Sequence, residues 1–457
     1  MHPPAILAAV LLGTSALAAV TTVPAGAEQS VRTAHSAHRA AGANEWTTYH
    51  GDNERSGRNA RMPAYHRGLH VIRRITLDGQ VYASPIVARG LTIVATENNT
   101  VYAFGPRNHV VWKRHLGAPS PASQRPCGNI DPLGITGTPV YSERNHRVYV
   151  AAEFGAARPF HRLYALKIGT GAVVFKRTLD FKGVDRTAMQ ERGALTITDR
   201  RVWVPFGGLA GDCGNYKGRV VGWKLDGSST VRYTVPTARE AGIWTPPGAS
   251  VGPSGNLFVS VGNGASGPGD KYDFSDSILR IGTGGRLLDH FSPTTWATDN
   301  QSDLDLGSQG PAIVQNKWVF SAGKSGTAYV LRLRHLGGIG GQVSKTSLCT
   351  SFGGTAVRDN VVYVPCTDGV RAVRIDNSGH MHMLWQAPSS ITGSPVVGGG
   401  VVWTLDTGSG VLHGLGPFHG GARASVAVGS VTRFATPALS GRRILIGTMS
   451  GLTVLGY

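Results

Sequence analysis

Residues 138–180 read TPVYSERNHRVYVAAEFGAARPFHRLYALKIGTGAVVFKRTLD, and the reading of this stretch decides the architecture. After a Thr-Pro start, apolar and polar positions alternate through RVYVAA (147–152), RLYALK (162–167) and VVFKRTLD (173–180). Alternation with a period of two marks half-buried strands, and the Gly- and Asn-containing segments between them are turns. With the short segment after Thr138-Pro139, the stretch makes four strands in one meander.

The same pattern recurs eight times along the chain. Its starts are Ser84-Pro85, Thr138-Pro139, Gly193-Ala194, Gly248-Ala249, Gly310-Pro311, Thr355-Ala356, Ser394-Pro395 and Thr436-Pro437. A second strand follows each start, for example LTIVA (91–95), RVWVPF (201–206), NLFVSV (256–261), VVYVPC (361–366) and RILIGT (443–448). Four-stranded units repeating at about 40 to 60 residues are propeller blades, each burying its faces against its neighbours. The expected fold is therefore all-β, an eight-bladed β-propeller of four-stranded antiparallel blades over residues 46–457. The last repeat ends at Tyr457 after its third strand, while HVIRRITLDG (70–79) resembles the closing strands VVWKRHLG (110–117) and VVFKRTLD. The N-terminal strand is thus expected to complete the last blade, leaving no open sheet edge.

Composition agrees with this architecture. The 63 glycines, six methionines and 16% charged residues of the 457-residue chain suit many short strands joined by tight turns, and no helix is expected in the body. The apolar run Ala5–Val20, followed by Ala25-Gly26-Ala27, reads as a signal peptide over residues 1–27 with cleavage near Ala27. The run is too short to span a bilayer, no later segment is long enough, and no Cys follows it to carry a lipid. Residues 28–45, with their Ala, Ser and His, read as a flexible linker. The expected product is a secreted or envelope protein, monomeric, with a net charge of +18 that attracts polyanions such as an anionic cell-surface polymer. No nucleic-acid motif is present.

The blade pattern resembles the PQQ-repeat propellers. These include the quinoprotein alcohol dehydrogenases, the polyvinyl-alcohol dehydrogenase-like proteins and a non-enzymatic outer-membrane assembly scaffold. The resemblance spans essentially residues 46–457, and it implies a set of site residues. Ile243-Trp244-Thr245-Pro246 with the following NLFVSVGNG resembles the strand that carries the family's stacking Trp and the turn that supplies an amide oxygen to Ca²⁺, matching Trp244 and Asn263. Asp303-Leu304-Asp305-Leu306-Gly307-Ser308 resembles the segment carrying the catalytic base, matching Asp305, which would also approach the metal. Gly323-Lys324-Ser325-Gly326 resembles the turn whose basic residue reaches the quinone oxygens, matching Lys324. This chemistry needs an aromatic floor, a cation on oxygen ligands, a base and a positive charge near the quinone. Each residue also has an ordinary structural use as core, turn or cap.

Two family features are missing. The chain has no Cys-Cys pair, and where the family places a second Ca²⁺-ligating Glu it reads Gly211-Asp212-Cys213-Gly214, leaving Asp212 as a shorter substitute. The departures favour a cofactor-free binding or scaffold propeller at the cell envelope, taking a protein or anionic polymer. The alternative is a PQQ- and Ca²⁺-dependent alcohol dehydrogenase-like oxidoreductase. The four Cys of an exported chain are expected in disulfides, with three pairings open. In a propeller, connections between blades and loops after second strands share one face, which favours Cys127 with Cys213 and Cys349 with Cys366. No C-x-x-C or C-x-x-C-H motif points to zinc or covalent haem.

Overall fold

The computed structural model describes residues 44–457; the expected leader 1–27 and residues 28–43 of the expected linker lie outside the described residues. Eight sheets follow one another around the chain, each with a four-stranded antiparallel core. In blade 2, for example, Val140–Ser142, Arg147–Phe154, Phe160–Lys167 and Val173–Thr178 pair in sequence order from the inner to the outer edge. Inner and middle strands are mostly buried, while outer strands alternate or face solvent, as Val110–His115 does.

The expected closure is found. His70–Thr76 pairs antiparallel with Gly451–Gly456, from His70 opposite Gly456 to Thr76 opposite Gly451, and becomes the outer strand of blade 8. The core lies between blades rather than within them. One cluster joins Ile86, Ile93 and Val101 of blade 1 to Tyr141, Val148 and Val150 of blade 2. Another joins Trp403 of blade 7 to Leu445 and Val454 of blade 8. A blade buries both faces only in the closed ring.

The segment between Trp46 and Asn59, which no strand pattern marks, crosses the inner strands at their free edges. Trp46 pairs with Val87 of blade 1, and the Tyr141 N–H of blade 2 donates to Thr47 O. Asn53 Nδ2 donates to Ile197 O of blade 3, and Val251 N–H of blade 4 donates to Asn53 O. Val357 and Val397, in blades 6 and 7, donate to Ser56 O and Gly57 O, and Asn59 Nδ2 donates to Leu439 O of blade 8. Seven blades are tied to one strap. Arg55 anchors it at 2% exposure, donating to Thr48 Oγ1 at 2.9 Å, Tyr49 O at 3.2 Å and Leu195 O at 3.0 Å.

One expectation fails in a small way: a six-residue helix, Trp296–Gln301, follows blade 4. Fewer than two turns cannot display a 3.6-residue apolar period, and the helix is held by Trp296, Asp299 and Asn300 facing inward, with Thr295 Oγ1 donating to Asp299 Oδ2 at 2.6 Å. Among the described residues no helix is long and apolar enough to cross a membrane.

Both expected disulfides form, Cys127–Cys213 and Cys349–Cys366. They close loops of very different size, with separations of 86 and 17 residues. On the chain-entropy account the first constrains the unfolded state by about 4.6 kcal/mol and the second by about 3 kcal/mol. Paired Cys→Ser replacement at 127 and 213 is therefore expected to lower the denaturation midpoint more than replacement at 349 and 366, as read by chemical unfolding of each variant.

Candidate functional site

In a four-stranded meander, the turn after the second strand and the connection to the next blade lie at one end of the blade. At that end of the ring a cavity of about 530 Å³ opens. Its wall combines two sources. Asp212, Asn263 and Lys324 come from the turns after the second strands of blades 3, 4 and 5, while Tyr82, Arg192, Phe352 and Phe434 come from connections between blades.

Trp244 stands on the cavity wall, but not on a strand: residues 241–247 carry no strand assignment. Glycines let the backbone and a carboxylate come close to it. A Cβ at Gly207 would lie 2.5 Å from the Trp244 Cβ, and one at Gly262 would lie 3.0 Å from Trp244 Nε1 and 3.2 Å from Asp305 Oδ1. The Lys324 ammonium lies 5.6 Å from the centre of the Trp244 ring, within cation–π range. Trp244 and Phe434 meet edge to face with centroids 6.3 Å apart. Arg433 covers Phe352 at 3.8 Å, and Arg192 lies 5.4 Å from the Phe434 ring. Three aromatic rings and three cations thus share one wall.

Asp305 is fully buried beneath this wall. Its Oδ2 lies 2.8 Å from Lys324 Nζ, and Asp303, itself in the left-handed region at φ +54°, contacts the same ammonium from the exposed side. The Lys324 N–H also donates to Asp305 O at 3.1 Å, fixing the turn. Burial works against the charged amine, but Asp305 and Asp303 outweigh it and hold the Lys324 pKa above its ordinary value. Lys324 is therefore a charged, half-shielded group rather than a solvated one.

The sequence-expected residues come together only in part. Trp244, Asn263, Lys324 and Asp212 share the cavity wall, with Asp305 directly behind Lys324. Asp212 accepts from Tyr216 Oη at 2.5 Å, and its backbone oxygen accepts from Arg239. Among the described residues, the grouping of three His, Cys, Asp or Glu donors close enough to hold one ion is Cys349, Cys366 and Asp368, whose thiols are already joined in a disulfide. Of the expected Ca²⁺ set, Asp305 Oδ2 faces the Lys324 ammonium and Asp212 Oδ1 accepts from the Tyr216 hydroxyl, while Asp305 Oδ1 is buried with no hydrogen-bond partner. The aromatic and cationic wall does fit a planar polyanion, with Trp244 as a stacking surface and Lys324 beside it.

Sequence reading missed Arg192, Arg433, Phe352, Phe434 and Tyr82. A positional signal exists: each stands one to three residues before a blade-opening pair, Tyr82 before Ser84-Pro85, Arg192 before Gly193-Ala194 and Phe434 before Thr436-Pro437.

Behind Arg192 lies a buried acidic network. Glu97 is 1% exposed, accepts from the Gly134 N–H at 2.7 Å, and is pushed by burial up to about 7. Farther in, the His161 ring sits between Asp180, at 2.8 Å from Nδ1, and Glu153, at 3.3 Å from Nε2. Burial alone lowers an imidazole, yet the two carboxylates raise His161 to about 10, so the ring is an imidazolium at neutral pH.

No family model matches the chain, and no curated protein matches it. Solved structures do. The quinohemoprotein alcohol dehydrogenase from Comamonas testosteroni superposes with a TM-score of 0.70 at 15% identity, over 92% of this chain and 81% of that one. A europium-containing methanol dehydrogenase gives 0.70 at 13% identity, over 91% and 98%. BamB from Moraxella catarrhalis gives 0.56 at 17% identity, over 86% and 98%. The fold is that of the quinoprotein alcohol dehydrogenase-type propellers, the PQQ-repeat architecture that the blade pattern resembles. At these identities the likeness defines the fold, and both a dehydrogenase and BamB carry it.

A folded pKa raised above the unfolded one contributes stability that is complete below the unfolded value near 6.5 and is lost as pH rises through the folded value. For His161 that window runs from pH 6.5 to about 10. His161→Gln is expected to be less stable than the parent at pH 6 and to show a flatter decline between pH 7 and 10, measured by urea unfolding across that range.

Proposed function

We propose that this chain is an exported binding propeller of the cell envelope, whose cavity takes an acidic, aromatic-compatible ligand without a metal ion. The observation that carries the reading is the Asp303–Lys324–Asp305 arrangement, which engages the buried carboxylate with an ammonium 2.8 Å away. A carboxylate committed in this way is a poor ligand for a divalent cation, since moving Lys324 aside would strand a buried charge. What stays available on the wall is Arg192 and Arg433 against Phe352 and Phe434, a surface suited to carboxylates on flat or aromatic carriers.

A second reading, a PQQ- and Ca²⁺-dependent dehydrogenase, is favoured by the placement of Trp244, Asn263 and Lys324 on one wall and by the dehydrogenases that share the fold. In that reading Trp244 would support the quinone and Lys324 would face its oxygens, and the bound quinone would accept the electrons of an alcohol. The Lys324 ammonium on Asp305 Oδ2 weighs against it, and the unpartnered Asp305 Oδ1 weighs for it. Export rests on the N-terminal sequence and agrees with the two disulfides.

Two titrations separate the readings. With PQQ as the probe and quinone absorbance as the signal, we expect Ca²⁺ to leave binding unchanged at about tens of micromolar protein; a saturable, Ca²⁺-dependent complex weakened by Asp305→Ala would establish the second reading instead. With a fluorescent Glu- and Tyr-containing peptide as the probe, Arg433→Ala is expected to weaken binding about tenfold or more, one charge-assisted contact being of that order. An unchanged affinity in that variant would remove the cavity from the binding reading.

A further inference from the structure

The opposite end of the ring, formed by the turns joining first to second and third to fourth strands, carries a separate hollow between blades 2 and 3. Its volume is about 590 Å³. Five cations line it: Arg144 and Arg147 from blade 2, and Arg200, Arg201 and Lys224 from blade 3. Against them stand two carboxylates, Asp199 and Asp226. Among the described residues none of the five cations takes part in an ion pair, whereas nine other Arg and Lys side chains do.

The cations fall into two kinds. Arg147 and Arg201 are half-buried and held by the backbone, Arg147 Nη1 donating to Leu225 O at 3.2 Å and Arg201 Nη1 to Ser229 O at 3.2 Å. Arg144, Arg200 and Lys224 are exposed at the rim. The turn that brings Arg200 there is strained, with Asp199 at φ +48° and Arg200 at φ +56°, side-chain-bearing residues in a region usually left to glycine. The result is a concave site with two guanidinium groups held by the backbone and three exposed charges at the rim.

We propose that this hollow binds the phosphodiester groups of an anionic polyol-phosphate polymer of the cell surface. Several guanidinium forks in one concavity match the tetrahedral phosphate oxygens, which accept pairs of N–H bonds. Repeated phosphates along a chain would engage base and rim together. The lining contains no aromatic side chain, so it offers no stacking platform for nucleobases, and what it can recognise of such a chain is the phosphate groups. The site is independent of the cavity at the other end of the ring.

The test is calorimetric titration of the exported chain with a synthetic glycerol-phosphate oligomer, beside an oligodeoxynucleotide of equal phosphate number and a polyglutamate of equal charge. The oligomer is expected to bind with strong salt dependence, and Arg144→Ala with Arg200→Ala to weaken it at least tenfold. The control pair Arg332→Ala with Arg374→Ala removes the same charge from exposed positions elsewhere and is expected to change affinity less than twofold. If the rim pair impairs folding, Lys224→Gln supplies the same comparison with one exposed charge. Equal losses in rim and control pairs, or no oligomer binding, would overturn the proposal by tracing any affinity to the net charge of +18. Equal or tighter binding of the oligodeoxynucleotide or the polyglutamate would overturn the polyol-phosphate assignment.

Discussion

The constraint on which the rest depends is the row of unpaired backbone groups that every blade turns toward the ring axis. An inner strand has a partner on one side only, and its other edge presents N–H and carbonyl groups that must be satisfied or hydrated. Here the strap from Trp46 to Asn59 answers that demand in seven blades, taking N–H bonds from Tyr141, Val251, Val357 and Val397 at 2.7 to 2.9 Å. These residues hold equivalent places in their repeats. The strap thus reads the ring's internal symmetry with an asymmetric piece of chain, and Arg55 pins it by bonding both the strap and blade 3.

Ring closure and the strap act on the same problem from opposite sides. The outer strand His70–Thr76 joins the two ends of the chain, while the strap joins the inner edges, and only the closed ring buries both faces of each blade. Rigidity of that kind is what allows loops from separate blades to form one wall. Trp244, Lys324, Phe352, Phe434 and Arg433 lie far apart in the chain, and none belongs to a packed core cluster. Their placement is inherited from the blades beneath them.

Buried charge tells how the cavity differs from a simple metal cradle. At Asp305 the nearest countercharge is the Lys324 ammonium, and at Asp212 the nearest donor is the Tyr216 hydroxyl. Around His161 two carboxylates flank one imidazole. In each case the protein sets a donor or a countercharge beside a carboxylate, because an ionised group left alone away from water is costly, although Asp305 Oδ1 keeps no hydrogen-bond partner. In the far hollow five cations outnumber two carboxylates and none forms a close ion pair, so the backbone holds Arg147 and Arg201 and water solvates the three at the rim.

Much of the architecture was legible in the chain itself. Period-two alternation, the eight Pro- or Gly-containing starts and the orphan strand at 70–79 sufficed for blade number, strand count and closure, because these are local properties repeated eight times. The loops that carry the four Cys share a face, which allows disulfides there, and of three open pairings the one favoured from the sequence is the one formed. The strap was not legible, since its bonds run through backbone atoms that every residue possesses, and Thr47, Ser56 and Gly57 carry no side-chain signature of the role. The site was half legible: Trp244, Asn263, Lys324 and Asp305 were named from local motifs, while Arg192, Arg433, Phe352 and Phe434 join them only through connections between distant blades. Whether Asp305 faces a cation or a lysine is a matter of ångströms between two turns. Local periodicity is written residue by residue, so the sequence determined the propeller; the pairing of charges across its face depends on distances between blades, which only the closed tertiary structure decided.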